Sequence, residues 1–297
     1  MKTLLSLRLW LLASALMIFG VCLAHAVPDN KIEPAALVAK HLDSIAAADV
    51  RGRIHGTRIK GTVDLTVKEG GVGQSTGNVV MASQGSHNVV NLSFDSGEPT
   101  TAFAFDGTNV SVTQFRPGRH TPLEHFFAAY SEVVKEGLIG GVLSEAWPLV
   151  NLQEKNPKLE YAGLKKIGGS ELHALKYSPR KGSELKILLY FDKENFRHVR
   201  TEYEQTVYSY EQKRIAGGSG QLPSVQEQRT TPQRLEVREE FSDFKPENGL
   251  MLPHRYTFEL SLQSQTRPLM LEWVFNLKEF SFNVPIDAKD FSVGGEL

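Results

Sequence analysis

The chain has 297 residues, of which 41% are hydrophobic and 23% charged, and its formal net charge is -1. This composition is typical of a soluble globular protein and excludes a collagen-like repeat, a disordered tail and a polytopic membrane protein. The near-neutral charge gives no basic excess for binding phosphates, so nucleic acid is not an expected partner. The length allows one large domain or two modest ones with a substantial core.

The N-terminal residues have the pattern of a secretory signal peptide. Lys2 and Arg8 form a positive start to an apolar stretch, and Ala24-His25-Ala26 follows it as a small-residue cleavage site. We therefore expect residues 1–26 to be removed by cleavage after Ala26 and residues 27–297 to form the exported domain. An uncleaved N-terminal anchor and lipid modification of Cys22, the only cysteine, are the alternatives.

A leading helix and a strand-rich region follow the signal peptide. The segment from Glu33 to Ala48 predicts a helix, because Pro34 suits a first turn and one apolar stripe contains Leu37, His41, Leu42 and Ile45. Apolar residues then alternate with polar ones, which predicts strands with one buried face. In this region Asp106-Gly107 predicts a two-residue hairpin turn between the strands that carry Phe103, Phe105, Val110 and Val112.

The middle of the chain returns to helical spacing. Between Pro122 and Leu149 the apolar residues predict two short helices, and Gly137, Gly140 and Gly141 predict a flexible joint. We interpret this segment as a lid that these glycines allow to move.

Strands resume at about Leu159 and continue to the last residues. The segment from Leu185 to Phe191 is apolar throughout and predicts a central strand covered on both faces. Residues from Ala216 to Pro232 are rich in Gly, Ser, Gln, Thr and Pro, which predicts an exposed loop. A change in apolar phase predicts a bulge or bend near Glu279.

These elements predict an α+β fold with a curled antiparallel sheet, an incomplete β-barrel of about eleven or twelve strands. A sheet of this length must curl, and its concave apolar face needs a cover. The leading helix and the mid-chain helices are the available covers. Two stacked sheets are the alternative architecture.

Three stretches resemble the LolA/LolB-like superfamily of periplasmic lipoprotein carriers. They are Leu188-Leu189-Tyr190-Phe191-Asp192 through Val199-Arg200, Phe241-Ser242-Asp243-Phe244-Lys245 through Pro253, and Asn283-Val284-Pro285-Ile286-Asp287 through Phe291. The order of elements is similar over nearly all of the chain after the signal peptide. The resemblance implies a periplasmic location, an acyl-chain cavity and no cofactor. Related folds also serve as envelope-stress sensors.

Aromatic and β-branched residues are the candidates for lining such a cavity. An acyl chain would gain about 0.8 kcal/mol for each methylene buried there. The alternative is a filled core, because aromatic residues at helix and strand spacing usually pack together. The candidates are Phe103, Phe105, Val110, Val112 and Phe115 on strands, with Phe126, Phe127 and Tyr130 on the helices above them.

Three arginines precede or begin the first strand. The resemblance implies that an arginine near this position hydrogen-bonds to the lid and couples its closure to cargo. Among Arg51, Arg53 and Arg58 we select Arg53 and Arg58 as candidates for this latch. A planar guanidinium suits the role because it donates several hydrogen bonds at once. Surface charge at a strand edge is the alternative for each of them.

The sequence has no phosphate-binding loop and no cysteine beyond Cys22, so we expect no catalysis. His120 and His125 are five residues apart, which does not place both imidazoles on one helical face, so we expect no metal site. Glu239, Glu240 and Asp243 are explained by alternation along a strand.

Three functions remain open at this point. The first is a periplasmic carrier that shields acyl chains of a lipid or lipoprotein, with an envelope membrane protein as donor or acceptor. The second is a non-enzymatic envelope sensor or scaffold that binds a protein partner through the outer sheet face or the long loop. The third is a structural domain with a filled core.

Overall fold

The computed structural model describes residues 32–95, 100–114, 120–212, 228–264 and 268–293, with the backbone alone at 209–212 and 228–231. The predicted signal peptide, Phe115 and most of the predicted loop from Ala216 to Pro232 lie outside these ranges.

Twelve strands and five short helices make up the described chain. The strands are β1 Thr57–Glu69, β2 Gly73–Gln84, β3 His87–Phe94, β4 Thr101–Phe105, β5 Val110–Val112, β6 Lys158–Ile167, β7 Ser170–Ser178, β8 Lys186–Asp192, β9 His198–Gln212, β10 Gln228–Glu247, β11 Leu250–Gln263 and β12 Leu269–Phe282. The helices are α1 Pro34–Ile45, α2 Ala48–Arg51, α3 Pro122–Ala129, α4 Glu132–Lys135 and α5 Leu152–Lys155, with 3₁₀ turns at Gly141–Leu143 and Ala288–Phe291.

All twelve strands belong to one antiparallel sheet. Its order is β5-β4-β3-β2-β1-β12-β11-β10-β9-β8-β7-β6, so two meanders meet where β1 pairs with β12. The short strand β5 and the longer β6 form the two edges, and the sheet is not closed between them. The predicted α+β incomplete barrel is therefore confirmed, with twelve strands.

The leading helix has the predicted buried stripe. Leu37, Val38, His41 and Ile45 are buried against the sheet, while the exposed face carries charge. The helix ends earlier than predicted, because Ala46 adopts an extended conformation and a separate helix, α2, begins at Ala48. The Arg51 guanidinium donates hydrogen bonds to the carbonyl oxygens of Leu42, at 2.6 Å, and Ala46. They supplement the backbone bond that the Leu42 carbonyl accepts from the Ala46 N–H at 3.3 Å.

The mid-chain segment, residues 122–155, is more irregular than two helices. A capping box begins α3, in which Thr121 and Glu124 each bond the backbone N–H of the other. After α4 the chain continues through turns, and the third helix, α5, lies beyond the predicted limit at Leu149. The glycine-rich stretch explains this difference, since glycine interrupts helix and favours turns.

Of three local expectations, one is refined, one is confirmed and one is wrong in part. The β4–β5 hairpin has Gly107 and Thr108 as its loop residues, one position later than predicted, because the Asp106 N–H donates to the Asn109 carbonyl at 3.2 Å. The bulge near Glu279 is confirmed, since the β1–β12 register skips Lys278. Residues 228–232, predicted as loop, begin strand β10 and pair with β9.

One large apolar core fills the concave side of the sheet. Leu37 from α1, Phe126 from α3 and Leu138 from the mid-chain segment pack with inward side chains of both meanders. The helices therefore cover the concave face as predicted. On the opposite face of β2, β3 and β4, Phe291 packs against Ala82, Val89 and Ala104.

Candidate functional site

The aromatic residues predicted to line a cavity pack tightly against one another. We call Phe103, Phe105, Phe126, Phe127 and Tyr130 the aromatic layer; each is less than a tenth exposed. The ring centroids of Phe103 and Phe127 are 3.9 Å apart, and those of Phe126 and Phe127 are 5.3 Å apart. The cavity that Phe103 lines measures about 20 Å³, which is room for one water and not for an acyl chain.

The other predicted lining residues lie at the margin of this layer. Val110 and Val112 are half-buried on the edge strand β5 and pack against the core from there. Phe115 lies outside the described residues.

A much larger space opens elsewhere, at the end of the sheet where α1 finishes. This open pocket has a volume of about 520 Å³. Its apolar wall comes from the end of α1, the approach to β1, the mid-chain segment and the near ends of β11 and β12, and it consists of Ile45, Ile54, Val142, Leu250, Leu252 and Phe282. Polar side chains around it are Arg51, His55, Glu145, Asn151, Glu154 and Lys155.

Inside this pocket, hydrogen bonds of Glu145 attach the mid-chain segment to the sheet near the ends of two strands. Its carboxylate accepts hydrogen bonds from the backbone N–H of Gly56, just before β1, and of Gly85, in the β2–β3 turn, at 2.8 Å for the latter. The Glu145 backbone N–H donates to the Ser83 hydroxyl at 2.9 Å. The segment is therefore attached to the sheet by both the side chain and the main chain of one residue.

Trp147 forms the inner wall of the pocket and is held from behind by two histidines. Its indole N–H donates to His41 Nε2 at 3.1 Å, and His41 Nδ1 lies 3.1 Å from the Phe196 carbonyl oxygen. This pattern fits a neutral imidazole with its proton on Nδ1. The Trp147 ring stacks on His198 with centroids 4.7 Å apart.

Burial keeps both histidines uncharged near neutrality. It lowers the pKa of His41 to about 4. It also lowers the pKa of His198 well below its usual range, helped by the nearby His41. Charging either ring would remove a cation from water without supplying an anionic partner.

A buried carboxylate, Glu239 on β10, joins the sheet to the mid-chain glycines. Its oxygens accept from the Tyr256 hydroxyl at 2.7 Å, the Gly140 N–H at 2.8 Å and the Tyr203 hydroxyl at 2.6 Å. Burial raises the pKa of Glu239 to about 7, and the three donors oppose that rise. Alternation of exposed and buried positions along a strand, the explanation expected for Glu239, does not account for its complete burial. The sequence does contain a sign of this burial. Glu239 is two residues from both Val237 and Phe241, so on a strand it shares their inward face.

Further hydrogen bonds attach α4 to the second meander. The Tyr177 hydroxyl donates to Glu136 at 2.7 Å, and the Ser183 hydroxyl donates to Glu132 at 2.8 Å. On the first meander, the Asn88 amide donates to the Val134 carbonyl at 3.1 Å. Carboxylates of the mid-chain segment thus provide much of its attachment to the sheet.

The three mid-chain glycines are required by close packing. Gly137, Gly140 and Gly141 all have positive φ. A Cβ on Gly137 would lie 2.1 Å from the Ala146 carbonyl oxygen, and one on Gly141 would lie 2.8 Å from His198 Nδ1. These contacts show that the glycines allow close packing of the backbone. Their predicted role as a flexible joint stays a prediction.

The candidate latch arginines flank Gly56, whose N–H donates to Glu145 of the mid-chain segment. Arg53 is exposed and pairs with Asp49 at 3.3 Å. Arg58 lies on β1 with its Nε buried and unpartnered. Within the described ranges neither donates a hydrogen bond to residues 122–155. Arg51 is the arginine that lines the open pocket, and its donors are used by the carbonyls at the end of α1.

No three His, Cys, Asp or Glu side chains gather into a metal-binding group within the described ranges. His120 and His125 stay apart, the first with Nδ1 3.2 Å from the Thr113 carbonyl and the second exposed. Among the described helices, none has the length and apolar character that crossing a membrane requires.

Comparison with known proteins finds similarity at the level of structure. No protein-family model matches the sequence, and no curated protein matches it. A LolA superfamily protein from Nitrosomonas europaea is 13% identical with a TM-score of 0.49, over 89% of this chain and 99% of that chain. A DUF1329 family protein from Desulfovibrio piger is 9% identical with a TM-score of 0.43, over 89% and 99%. A putative outer membrane lipoprotein-sorting protein domain from Vibrio parahaemolyticus is 13% identical with a TM-score of 0.39, over 86% and 97%.

At these identities and TM-scores the similarities carry nothing about the cargo or partner of this chain.

Proposed function

We propose that this chain is a periplasmic binding protein that shields acyl chains of a lipid or lipoprotein during transfer. The observation that supports the proposal is the open pocket. Its volume of about 520 Å³ lies within the range of roughly 300–1,000 Å³ typical of small-molecule sites. Its apolar wall and polar rim suit a ligand with one apolar end and one polar end.

Burial of methylenes would supply the affinity. Each methylene placed against the wall contributes about 0.8 kcal/mol, so a short length of acyl chain gives useful binding. A carrier must also release its cargo, and an open pocket favours release because part of the ligand stays in contact with water. The aromatic layer, by contrast, has no room for a chain without movement of the mid-chain segment.

The lid in this proposal is the mid-chain segment, residues 122–155. Its attachments through Glu132, Glu136 and Glu145 are hydrogen bonds to carboxylates. Water can replace such bonds at a net cost of roughly 1.5–3 kcal/mol each, the range for hydrogen bonds to charged groups. Detaching this segment would expose the apolar core that it covers. Binding without catalysis is part of the proposal. The G-x-S-x-G match at residues 73–77 lies within strand β2, whereas a nucleophile elbow needs a turn from a strand into a helix.

Native mass spectrometry of the protein purified from a bacterial periplasm tests the proposal. We expect adducts of lipid mass that disappear after solvent extraction. Val150 lines the pocket and is 48% exposed, so Val150→Glu should fold and lose the adducts. Val72 is fully exposed outside the pocket, so Val72→Glu should keep them. A bare polypeptide mass that is unchanged after incubation with phospholipid or lipopeptide would refute the proposal.

A protruding hairpin favours a second candidate, a sensor or scaffold that binds a protein. Strand β9 pairs with β8 only as far as Glu204, and β10 pairs with β11 only from Arg234. The remaining residues of β9 and β10 form a two-stranded arm beyond the sheet, on which Tyr208 is 60% exposed. Recovery of one stoichiometric envelope protein without lipid, lost in Tyr208→Glu, would favour this function over the carrier.

A further inference from the structure

We propose that the backbone N–H groups of Gly56 and Gly85 form an anion-binding site for the headgroup of an acylated ligand, and that the Glu145 carboxylate occupies this site in the structure. The inference rests on the proposed function, because the apolar wall beside the site would hold the acyl chain of the same ligand. The ligand class is an anionic amphiphile, and Glu145 competes with its headgroup for the two N–H groups.

The two donors converge from separate elements of the sheet. Gly56 precedes β1, and Gly85 lies in the turn between β2 and β3. Glu145 Oε1 accepts from the Gly56 N–H, and Glu145 Oε2 accepts from the Gly85 N–H at 2.8 Å. One carboxylate with two oxygens therefore satisfies two donors, and a ligand phosphate or carboxylate has the same pair of acceptors.

Glu145 is held by these amides and not by a cation. No ion pair of Glu145 occurs among the described residues, although Arg51 and Lys155 line the same pocket. The Arg51 guanidinium donates to helix carbonyls, and the Lys155 ammonium donates to the Lys135 carbonyl at 3.0 Å. An incoming anion would thus compete for main-chain donors in a half-buried site, where hydrogen bonds to an anion are strong.

Exchange of one anion for another leaves both N–H groups satisfied. It therefore avoids the cost of unpaired backbone donors that simple detachment would carry. The released Glu145 side chain would be hydrated at the rim of the pocket. The mid-chain segment would then be attached at this point only through the Glu145 N–H and the Ser83 hydroxyl. Headgroup binding would in this way loosen the segment that covers the core.

The pocket fits the apolar end of such a ligand as well. Gly85 and Glu145 line the pocket together with Leu250, Leu252 and Phe282. The anion site and the apolar wall are therefore parts of one space, and a ligand that uses both is favoured over inorganic phosphate, which uses the first alone.

Calorimetric titration of the full-length protein with dodecyl phosphate, dodecanol and inorganic phosphate tests this inference. In Glu145→Gln the competing charge is removed at nearly constant volume. Because a hydrogen bond to a charged group contributes more than one to a neutral group, we expect the affinity for dodecyl phosphate to rise about tenfold. The affinity for dodecanol should stay within about twofold, since the apolar wall is unchanged. Glu154→Gln is the matched control, because Glu154 lines the pocket but bonds Asn151, and it should change neither affinity.

The outcomes separate this inference from the proposed function. If dodecyl phosphate and dodecanol bind but Glu145→Gln leaves their affinity ratio unchanged, the anion site is refuted while acyl binding stands. If neither amphiphile binds the wild type or the variant, acyl binding itself fails. If inorganic phosphate binds as tightly as dodecyl phosphate, the ligand is a free anion and the assignment of an amphiphile is refuted.

Discussion

The aromatic layer and the open pocket lie under the same cover but differ in how they are filled. In the aromatic layer, rings from α3 and β4 pack with centroids as close as 3.9 Å. In the open pocket, Leu250, Leu252 and Phe282 face a space of about 520 Å³. The aromatic layer contributes stability, because its surface is removed from water by other side chains. The pocket keeps apolar surface available, which is what a binding site needs.

This difference shows that aromatic content alone does not indicate a cavity. Phenylalanines at matching positions on a helix and a strand meet ring to ring and fill the space between them. The pocket is lined by aliphatic side chains together with Trp147 and Phe282, where the ends of the strands and the irregular mid-chain segment fit less closely.

Phe103→Glu gives the largest expected effect and tests the comparison directly. Phe103 is 3% exposed, so the substitution buries a charge without a partner and removes ring contacts. We expect a loss of at least about 3–5 kcal/mol in the free energy of unfolding, which leaves little of the native state. Urea denaturation followed by circular dichroism measures it.

The matched change in the open pocket is Val150→Glu, at a half-exposed position. We expect its free energy of unfolding to stay within about 0.5 kcal/mol of the wild type, since solvent reaches the new carboxylate. A stable, folded Phe103→Glu variant would show that the aromatic layer is not packed as described.

The pH dependence of the free energy of unfolding tests the buried core, in contrast to the open pocket. The folded pKa of Glu239 is about 7 and its usual value is 4.5, so the folded protein binds this proton more tightly than the unfolded chain. The corresponding stability is present below pH 4.5 and is lost as pH rises through 7. We expect wild type to lose on the order of 2–3 kcal/mol over this range relative to Glu239→Gln.

The comparison with Glu239→Gln is necessary because the buried histidines act in the opposite direction. The pKa of His41 is lowered from 6.5 to about 4. Its contribution to stability is therefore present above pH 6.5 and is lost as pH falls through 4. Denaturation curves of both proteins at pH 5, 6, 7 and 8 separate the two effects. Parallel stability profiles for the variant and the wild type would contradict the shift assigned to Glu239.

Arg51 and Arg53 test the pocket side and give smaller effects than the buried positions. Arg51→Ala removes donors to two carbonyls at the end of α1, in a side chain that is 18% exposed. We expect a loss of about 1–2 kcal/mol in the free energy of unfolding. Arg53→Ala removes an exposed pair with Asp49 and should cost no more than about 0.5 kcal/mol. Equal losses in the two variants would contradict this ranking.

The sequence predicts the architecture well because it is encoded in local patterns. Alternation identifies the strands, and the change in phase near Glu279 identifies a bulge that the β1–β12 register contains. The leading helix follows from Pro34 and its buried stripe. Such features depend on residues close together in the sequence, and hydrophobic periodicity detects patterns over that short range.

The site is less predictable because it depends on contacts between distant segments. Glu145 binds amides at Gly56 and Gly85, and no spacing in the sequence relates these three residues. The open pocket likewise depends on how α1, the mid-chain segment and β11 meet. Glu239 is the exception, since a carboxylate in phase with Val237 and Phe241 is visible as an inward acid on an apolar face.

The pairing of β1 with β12 has a consequence for how the chain folds. Thr57 is paired with Phe282, so the contact that joins the two meanders spans nearly the whole described chain. Contacts of such long sequence separation form late and slow the folding reaction. A chain emerging from its N-terminal side can form the β1–β2 hairpin at once, but the other edge of β1 has no partner until β12 arrives. During that interval the first meander exposes an unpaired edge to other chains, which makes early folding the stage most prone to aggregation.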